Sequence, residues 1–184
     1  MPGMRIYVSL LRGINVGGQK KLPMAALRQI YQDLGFSRIK TYLQSGNVVF
    51  ESLQAEQALL AKQIEEAIEQ SYDYALQVCV RTKDQIQRIA ANNPFLRDKN
   101  ADLSKLHVSF LYRLPAETTW SKVVVPGNIP DQYARGETVI YLHYPNGYAK
   151  AKIPASYFEK VLGVPLTDRN WNTLSALARM VVES

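Results

Sequence analysis

The chain of 184 residues contains one cysteine, Cys79, and two histidines, His107 and His143. A single cysteine cannot form an intramolecular disulfide, which is typical of proteins kept in a reducing compartment. The two histidines form no HxH or HxxxH motif, and both lie far from Cys79 in the sequence. We therefore expect no metal site, no cofactor and no catalytic Cys–His pair.

Long apolar segments are absent as well. No charge-free apolar run reaches the roughly 18 residues that a membrane helix needs. The opening residues, MPGMRIYVSLLRG, are too short and too soon charged for a signal peptide. These absences predict a cytoplasmic protein that does not associate with membranes. Neither GxSxG nor GxGxxG occurs, so the sequence leaves open whether the protein is an enzyme.

The formal net charge of +6 is concentrated at the beginning of the chain. The first 50 residues contain one acid, Asp33, and the rest of the chain carries as many acids as bases. The bases of this first segment are Arg5, Arg12, Lys20, Lys21, Arg28, Arg38 and Lys40. Such a region fits a nucleic-acid backbone, a phosphorylated small molecule or an acidic partner, but it also fits a solvated surface without a ligand.

Hydrophobic periodicity over the first 82 residues predicts the element order β-α-β-β-α-β. The predicted elements are a strand at 5–11, a helix from Pro23 to Gly35, two strands around Ser45-Gly46, a helix at 55–72 and a strand at 75–81. This order is that of the ferredoxin-like split βαβ plan. We therefore expect an α+β protein whose first domain is ferredoxin-like and spans residues 1–82.

Residues 83–184 predict a smaller α+β domain that packs closely on the first. Its strongest local signal is a β-hairpin in which residues 137–144 and 148–153 flank Pro145-Asn146-Gly147, because Asn-Gly suits a type I′ turn. A C-terminal helix is expected to begin after Thr167 or Asp168, since either residue can cap it. No internal repeat is obvious from residue identities.

The loop Arg12–Lys21, RGINVGGQKK, lies between the first strand and the first helix and is basic and rich in glycine. Backbone N–H groups and a helix N-terminus at such a position can hold an anion. The loop is not a Walker A sequence, because Gln19 stands where lysine is required and Lys20 where serine or threonine is required. The alternative is a structural loop whose glycines supply positive φ angles and whose lysines are solvated.

A second polar loop, Gln44–Asn47, joins the second and third strands. The predicted topology brings Asn47 towards Arg12 and Asn15, where the group could hydrogen-bond a phosphate or a carboxylate. Alternatively, these side chains only support the turns through local backbone bonds.

A third polar loop, Thr167–Thr173, carries a tryptophan among polar residues. Arg169 and Asn170 can face a ligand while Trp171 stacks on it, or Trp171 can simply dock the helix on the core. The candidate ligand-binding residues of the three loops are Arg12, Asn15, Gly17, Gly18, Lys20, Lys21, Ser45, Asn47, Arg169, Asn170, Trp171 and Asn172.

Four segments of the sequence resemble the bacterial family DUF1697, a domain of unknown function. They are YVSLLRGINVGG, KKLPMAALRQIYQDLGF, TYLQSGNVVFES and RNWNTL. The resemblance implies a two-part α+β protein whose first part is ferredoxin-like, and it implies no activity. The phrases typical of the family coincide with the three polar loops.

We expect the protein to bind a small phosphate- or carboxylate-bearing ligand between its two halves. The first alternative is a nucleic-acid or polyanion-binding module that uses the basic first 50 residues. An RNA-recognition motif is not supported, because the third strand, NVVFES, lacks the paired aromatic residues. The second alternative is a structural or interaction protein, for example a dimer through an exposed sheet edge. The sequence does not determine the oligomeric state.

Overall fold

The protein is described by a computed structural model that covers residues 3–183. The chain divides into two compact units, of which unit 1 comprises residues 3–88 with 176–183, and unit 2 comprises Ile89–Ser175. Each unit contains one four-stranded antiparallel sheet, so the α+β class is confirmed. No helix within the described residues is long and apolar enough to span a membrane.

The sheet of unit 1 has the strand order β2-β3-β1-β4. Its elements are β1 (Arg5–Leu11), α1 (Met24–Asp33), β2 (Ser37–Tyr42), β3 (Asn47–Ser52), α2 (Gln57–Tyr72) and β4 (Val78–Thr82), followed by α3 (Lys83–Ala91). The turn between β2 and β3 falls at the predicted Ser45-Gly46.

The core of unit 1 forms where both helices lay their apolar stripes on one face of this sheet. Tyr7, Leu11 and Phe50 of the sheet belong to the same buried cluster as Leu27 of α1 and Ile64 of α2. Alternation in β1 and the helical spacing of the apolar residues in both helices explain this arrangement. The loop that follows β1 and the turn that precedes β3 are therefore both anchored to this core.

The sheet of unit 2 has the strand order β6-β7-β5-β8. The elements of unit 2 are β5 (Leu106–Leu111), β6 (Gln132–Arg135), β7 (Val139–His143), α4 (Ala155–Leu162) and β8 (Leu166–Asn170). The last helix, α5 (Trp171–Met180), begins in unit 2, and its residues from Ala176 on belong to unit 1. A 3₁₀ segment, Glu117–Lys122, stands between β5 and β6.

The hairpin predicted around Pro145-Asn146-Gly147 is wrong. A tight turn does form there, with the Gly147 N–H donating to the Tyr144 carbonyl at 2.8 Å, but the chain continues as a 3₁₀ turn over Tyr148–Lys150. No returning strand can pair with β7, because β5 and β6 already occupy both of its edges. The hairpin of this unit is instead β6 with β7.

The predicted start of the C-terminal helix is also wrong. Thr167 and Asp168 lie inside β8, where they pair with β5. The helix α5 begins at Trp171, and the side chain of Asn170 accepts a hydrogen bond from the Thr173 N–H at 2.8 Å. Asn170 is therefore the residue that caps the helix.

The two sheets have the same strand topology. Strands β5, β6, β7 and β8 occupy the positions that β1, β2, β3 and β4 occupy in unit 1. The registers also correspond, since Ser9 lies opposite Val80 in unit 1 and Ser109 lies opposite Asp168 in unit 2. The chain thus contains a repeated topology that residue identities do not reveal.

Candidate functional site

The loop Arg12–Lys21 of unit 1 leaves the end of β1 and folds into a compact turn before α1. The Gln19 N–H donates to the Val16 carbonyl at 3.0 Å and closes this turn. Gly17 and Gly18 at its tip have φ angles of 58° and 76°, in the left-handed region that glycine adopts without strain. The glycines therefore have the structural role that the sequence left as one alternative.

Asn15 fastens this loop to the turn between β2 and β3. Its Nδ2 atom donates to the carbonyl of Leu22 at 3.0 Å and to that of Gln44 at 2.8 Å, and its Oδ1 atom accepts from the Leu22 N–H at 2.9 Å. The structure thus brings the first two polar loops together. In this arrangement the Asn15 amide holds the site in shape.

The second loop packs tightly against the first. Gly46 has a φ angle of 79°, and a Cβ atom built there would lie 2.7 Å from the Leu11 Cβ and 2.8 Å from the Ile14 Cδ1. Asn47 is buried, and its Nδ2 donates to the Tyr42 carbonyl at 2.8 Å and to the Ser45 Oγ at 2.9 Å. Asn47 and Ser45 therefore support the turn through local bonds.

A groove of about 280 Å³ lies on one side of the first loop, between it and the segment that leads into β4. Its lining residues are Arg12, Gly13, Lys20, Ala75, Leu76 and Gln77. The Lys20 Nζ donates to the Ala75 carbonyl at 2.7 Å, and the Arg12 guanidinium donates to the Gln77 Oε1 at 3.3 Å. Two cationic groups are thus positioned in one groove, which we call the basic groove.

A second groove, of about 460 Å³, lies on the other side of the loop. It is lined by Asn15, Gly18, Lys21, Leu22, Pro23, Met24 and Gln44. It includes the N-terminus of α1, which has no side-chain cap and no acid in its first turn. Neither groove includes a carboxylate among its lining residues. Lys21 and the helix N-terminus therefore make this groove electropositive.

The third polar loop lies in unit 2, at the junction of β8 and α5. Arg169 and Trp171 are buried, with exposed fractions of 8% and 4%, whereas Asn170 and Asn172 are exposed. The Arg169 guanidinium donates to the Thr167 Oγ1 at 2.9 Å and to the Asp168 carbonyl at 2.7 Å.

Sequence reasoning missed a polar cluster on the α4-facing side of the unit 2 sheet. Asp168 accepts hydrogen bonds from the hydroxyl of Ser109 and, at 3.2 Å, from that of Tyr148. The Tyr148 ring stacks on the His107 ring with centroids 4.7 Å apart. We call His107, Ser109, Tyr148 and Asp168 the Asp168 cluster. The alternation of β5 places His107 and Ser109 on one face, but nothing local in the sequence connects them to Asp168.

Burial shifts the ionisation of this cluster. It raises the pKa of Asp168, an effect that the hydrogen bonds from Ser109 and Tyr148 oppose. Burial also lowers the pKa of His107 and raises the pKa of Tyr148 to about 12, in the latter case together with the Asp168 charge. At neutral pH the imidazole and the phenol are therefore uncharged.

No group of three or more His, Cys, Asp or Glu side chains in residues 3–183 could hold a metal ion. Comparison with known proteins gives a family model and a solved structure that are similar to this chain. The family model described as "Protein of unknown function (DUF1697)" matches residues 4–141. The structure of the conserved bacterial protein SP0830 from Streptococcus pneumoniae is similar, at 26% identity and a TM-score of 0.76, and the match covers 97% of this chain and 99% of that one. No curated protein matches the chain.

Proposed function

The chain belongs to the DUF1697 family of proteins of unknown function, and we propose that its basic groove binds a small phosphate- or carboxylate-bearing ligand. One observation carries the proposal. Arg12 and Lys20 line a single groove whose other lining residues include no acid. An anion placed there would meet two positive charges without a competing carboxylate.

The geometry of the groove favours a compact ligand. A guanidinium presents a fork of N–H donors that matches the oxygens of a phosphate or carboxylate, and an ammonium adds a point charge. The volume of about 280 Å³ is close to the lower limit of roughly 300 Å³ for small-molecule pockets. Backbone bonds from the Arg12 N–H to the Gln77 carbonyl at 3.0 Å and from the Asn15 N–H to the Lys20 carbonyl at 3.2 Å pre-organise the groove, which reduces the entropy lost on binding.

Isothermal titration calorimetry with inorganic phosphate and with citrate tests this proposal. Arg12→Ala and Lys20→Ala should each weaken binding by about tenfold, the usual worth of a charge-assisted hydrogen bond. Lys62→Ala is the matched control, because Lys62 is an exposed cation of α2 that pairs with Glu66. Equal affinity in all variants, or no heat with either anion, would contradict the proposal and leave an interaction protein as the better account.

A second candidate function is nucleic-acid or polyanion binding by the basic first 50 residues. It is supported by the exposure of Lys20, Lys21, Arg28 and Lys40. Tyr7, the aromatic residue of β1 that an RNA-recognition motif would use for stacking, is fully buried. Binding of a single-stranded oligonucleotide that falls steeply with salt would favour this function over the small anion.

Several finer points belong to the proposal. The order β2-β3-β1-β4, together with the element order of unit 1, supports a ferredoxin-like assignment for residues 1–82. Three further points stay predictions. They are a domain boundary between residues 82 and 83, the participation of residues 169–172 in ligand binding, and a bacterial source with a cytoplasmic location. The single buried cysteine is consistent with a reducing compartment.

A further inference from the structure

The fold itself does not require an acid at the position of Asp168. In unit 1 the equivalent place opposite Ser9 is occupied by Val80, and the Ser9 hydroxyl bonds to the Tyr31 hydroxyl at 2.6 Å. The same topology therefore forms with only neutral groups at this point. Asp168 adds a half-buried carboxylate that packing does not explain.

The charge of Arg169 acts on this carboxylate without forming an ion pair with it. Within residues 3–183 its hydrogen-bond partners are two hydroxyl groups, and no lysine or arginine forms an ion pair with it. The neighbouring Arg169 lies on the opposite face of β8, because side chains alternate along a strand. Glu159 of α4 adds further negative charge that raises the pKa of Asp168. When Asp168 is ionised, the cluster is thus an anionic site within unit 2.

Aromatic rings stand beside the carboxylate. The Tyr148 ring stacks on His107 at an interplanar angle of 24° and meets the Tyr144 ring edge-on, with centroids 5.8 Å apart. Tyr148 is 48% exposed, so solvent reaches this side of the cluster. Faces of aromatic rings attract cations, and the attraction grows when water is excluded.

We propose that Asp168, with the rings of Tyr148 and His107 beside it, binds the ammonium group of a small organic amine. The carboxylate oxygens accept N–H donors, which favours a primary ammonium over a quaternary one. The ligand would supply the positive charge that the cluster lacks. This site lies in unit 2 and does not depend on the anion proposed for the basic groove of unit 1.

Protonation of Asp168 should compete with the amine. Burial raises the pKa of this carboxyl, so acid pH converts it to a neutral form with no charge to offer. The neighbouring rings do not compete, since burial keeps His107 neutral and Tyr148 remains a phenol. Charged Glu159 and Arg169 act on the carboxyl in opposite directions. Amine binding should therefore weaken as the pH falls.

The test is a titration of the full chain with n-butylammonium, followed by amide chemical shifts in ¹H–¹⁵N spectra. The neutral isostere n-butanol is the matched ligand. We expect shifts centred on residues 107–109, 148 and 168 with the amine only. Asp168→Asn should weaken binding by about tenfold, because the charged partner is lost. Asp33→Asn, which removes an exposed acid of unit 1, should leave the affinity unchanged.

A second variant keeps the proposal testable if Asp168→Asn fails to fold. Tyr148→Ala removes a half-exposed ring and keeps the carboxylate, and we expect it to bind about threefold more weakly. Lowering the pH should weaken binding to the native chain. Equal shifts with n-butanol, unchanged affinity in the folded Asp168→Asn variant, or shifts centred on other acids would overturn the proposal.

Discussion

Units 1 and 2 share the order of their strands and several of their backbone supports. The Glu65 Oε1 accepts the Val78 N–H at 2.7 Å, and the Glu159 Oε1 accepts the Leu166 N–H at 2.8 Å. In each unit a glutamate of the helix before the last strand thus binds the first amide of that strand. The contacts that define the fold are therefore the ones that recur.

The two units differ in the loops and polar side chains that form the candidate sites. The helix α2 has 16 residues and α4 has eight, and the Asp168 cluster stands on the sheet face that α4 faces. The loop after the first strand carries glycines and three cations in unit 1, whereas the corresponding stretch 112–116 of unit 2 has one base, Arg113, bonded to the Gly163 carbonyl at 2.7 Å. One topology thus supports a basic groove in unit 1 and an anionic cluster in unit 2.

Gly46→Ala should reduce stability more than any other variant considered below. Gly46 has a positive φ angle, and a Cβ atom added there would lie 2.7 Å from the Leu11 side chain. We expect the free energy of unfolding to fall by about 3 kcal/mol. Gly136, in the corresponding turn of unit 2, has no positive φ angle, so Gly136→Ala should cost less. Urea denaturation measures both variants, and an equal loss would break the comparison.

The two equivalent glutamates should have similar effects. Glu65→Ala and Glu159→Ala each remove the acceptor of a strand amide, and we expect each to cost about 1–2 kcal/mol of unfolding free energy. Glu69→Ala, an exposed control on α2, should change stability by less than about 0.5 kcal/mol. Thermal and urea unfolding provide the values. A large loss in one unit with none in the other would show that the equivalence is only geometric.

The caps of α3 and α5 sharpen the same comparison. The Thr82 Oγ1 accepts a hydrogen bond from the Gln85 N–H at 3.2 Å, and the Thr82 N–H donates to the Gln85 Oε1 at 2.9 Å. In α5 the Asn170 Oδ1 accepts from the Thr173 N–H. Thr82→Ala and Asn170→Ala should each cost about 1 kcal/mol. Thr82→Ser and Asn170→Asp should restore most of the loss in circular-dichroism melts. If Thr82→Ser and Asn170→Asp do not recover the lost stability, then Thr82 and Asn170 do not stabilise the protein by capping these helices.

The smallest effect expected is a pH dependence confined to unit 2. The folded state raises the pKa of Asp168, so this carboxyl contributes stability that is full below its unfolded pKa and is lost as the pH rises through its folded pKa. Asp168→Asn should therefore flatten the dependence of the unfolding free energy on pH above 4, roughly the ordinary pKa of aspartate. A parallel pH profile in the variant would contradict the assignment. Val80, the equivalent residue of unit 1, has no charge to titrate.

The sequence predicted the parts of the fold whose signals are local. Alternation in β1, helical spacing in α2 and the Ser45-Gly46 turn lie within short stretches. Asn146-Gly147 correctly predicts a turn but not a hairpin. The strands that pair with β7 are β5 and β6, and neither of them follows that turn in the chain. β8 was hidden because its polar residues, including Asp168, resemble a helix start.

The candidate site divides in the same way. The basic loop was visible because its glycines and cations are consecutive, whereas its grooves depend on residues 75–77, far along the chain. The Asp168 cluster joins Ser109 to an acid 59 residues away, so no local pattern could reveal it. Long-range pairing, which sets these contacts, is what a single sequence does not specify.

The most direct measurement is a titration of the ¹⁵N-labelled chain with inorganic phosphate at low ionic strength, followed by amide shifts. If the basic groove binds an anion, shifts should saturate and centre on residues 12–20 and 75–77, and Arg12→Ala should raise the phosphate concentration at half-saturation by about tenfold. Shifts spread over the basic surface without saturation, or an unchanged half-saturation concentration in Arg12→Ala, would contradict the account.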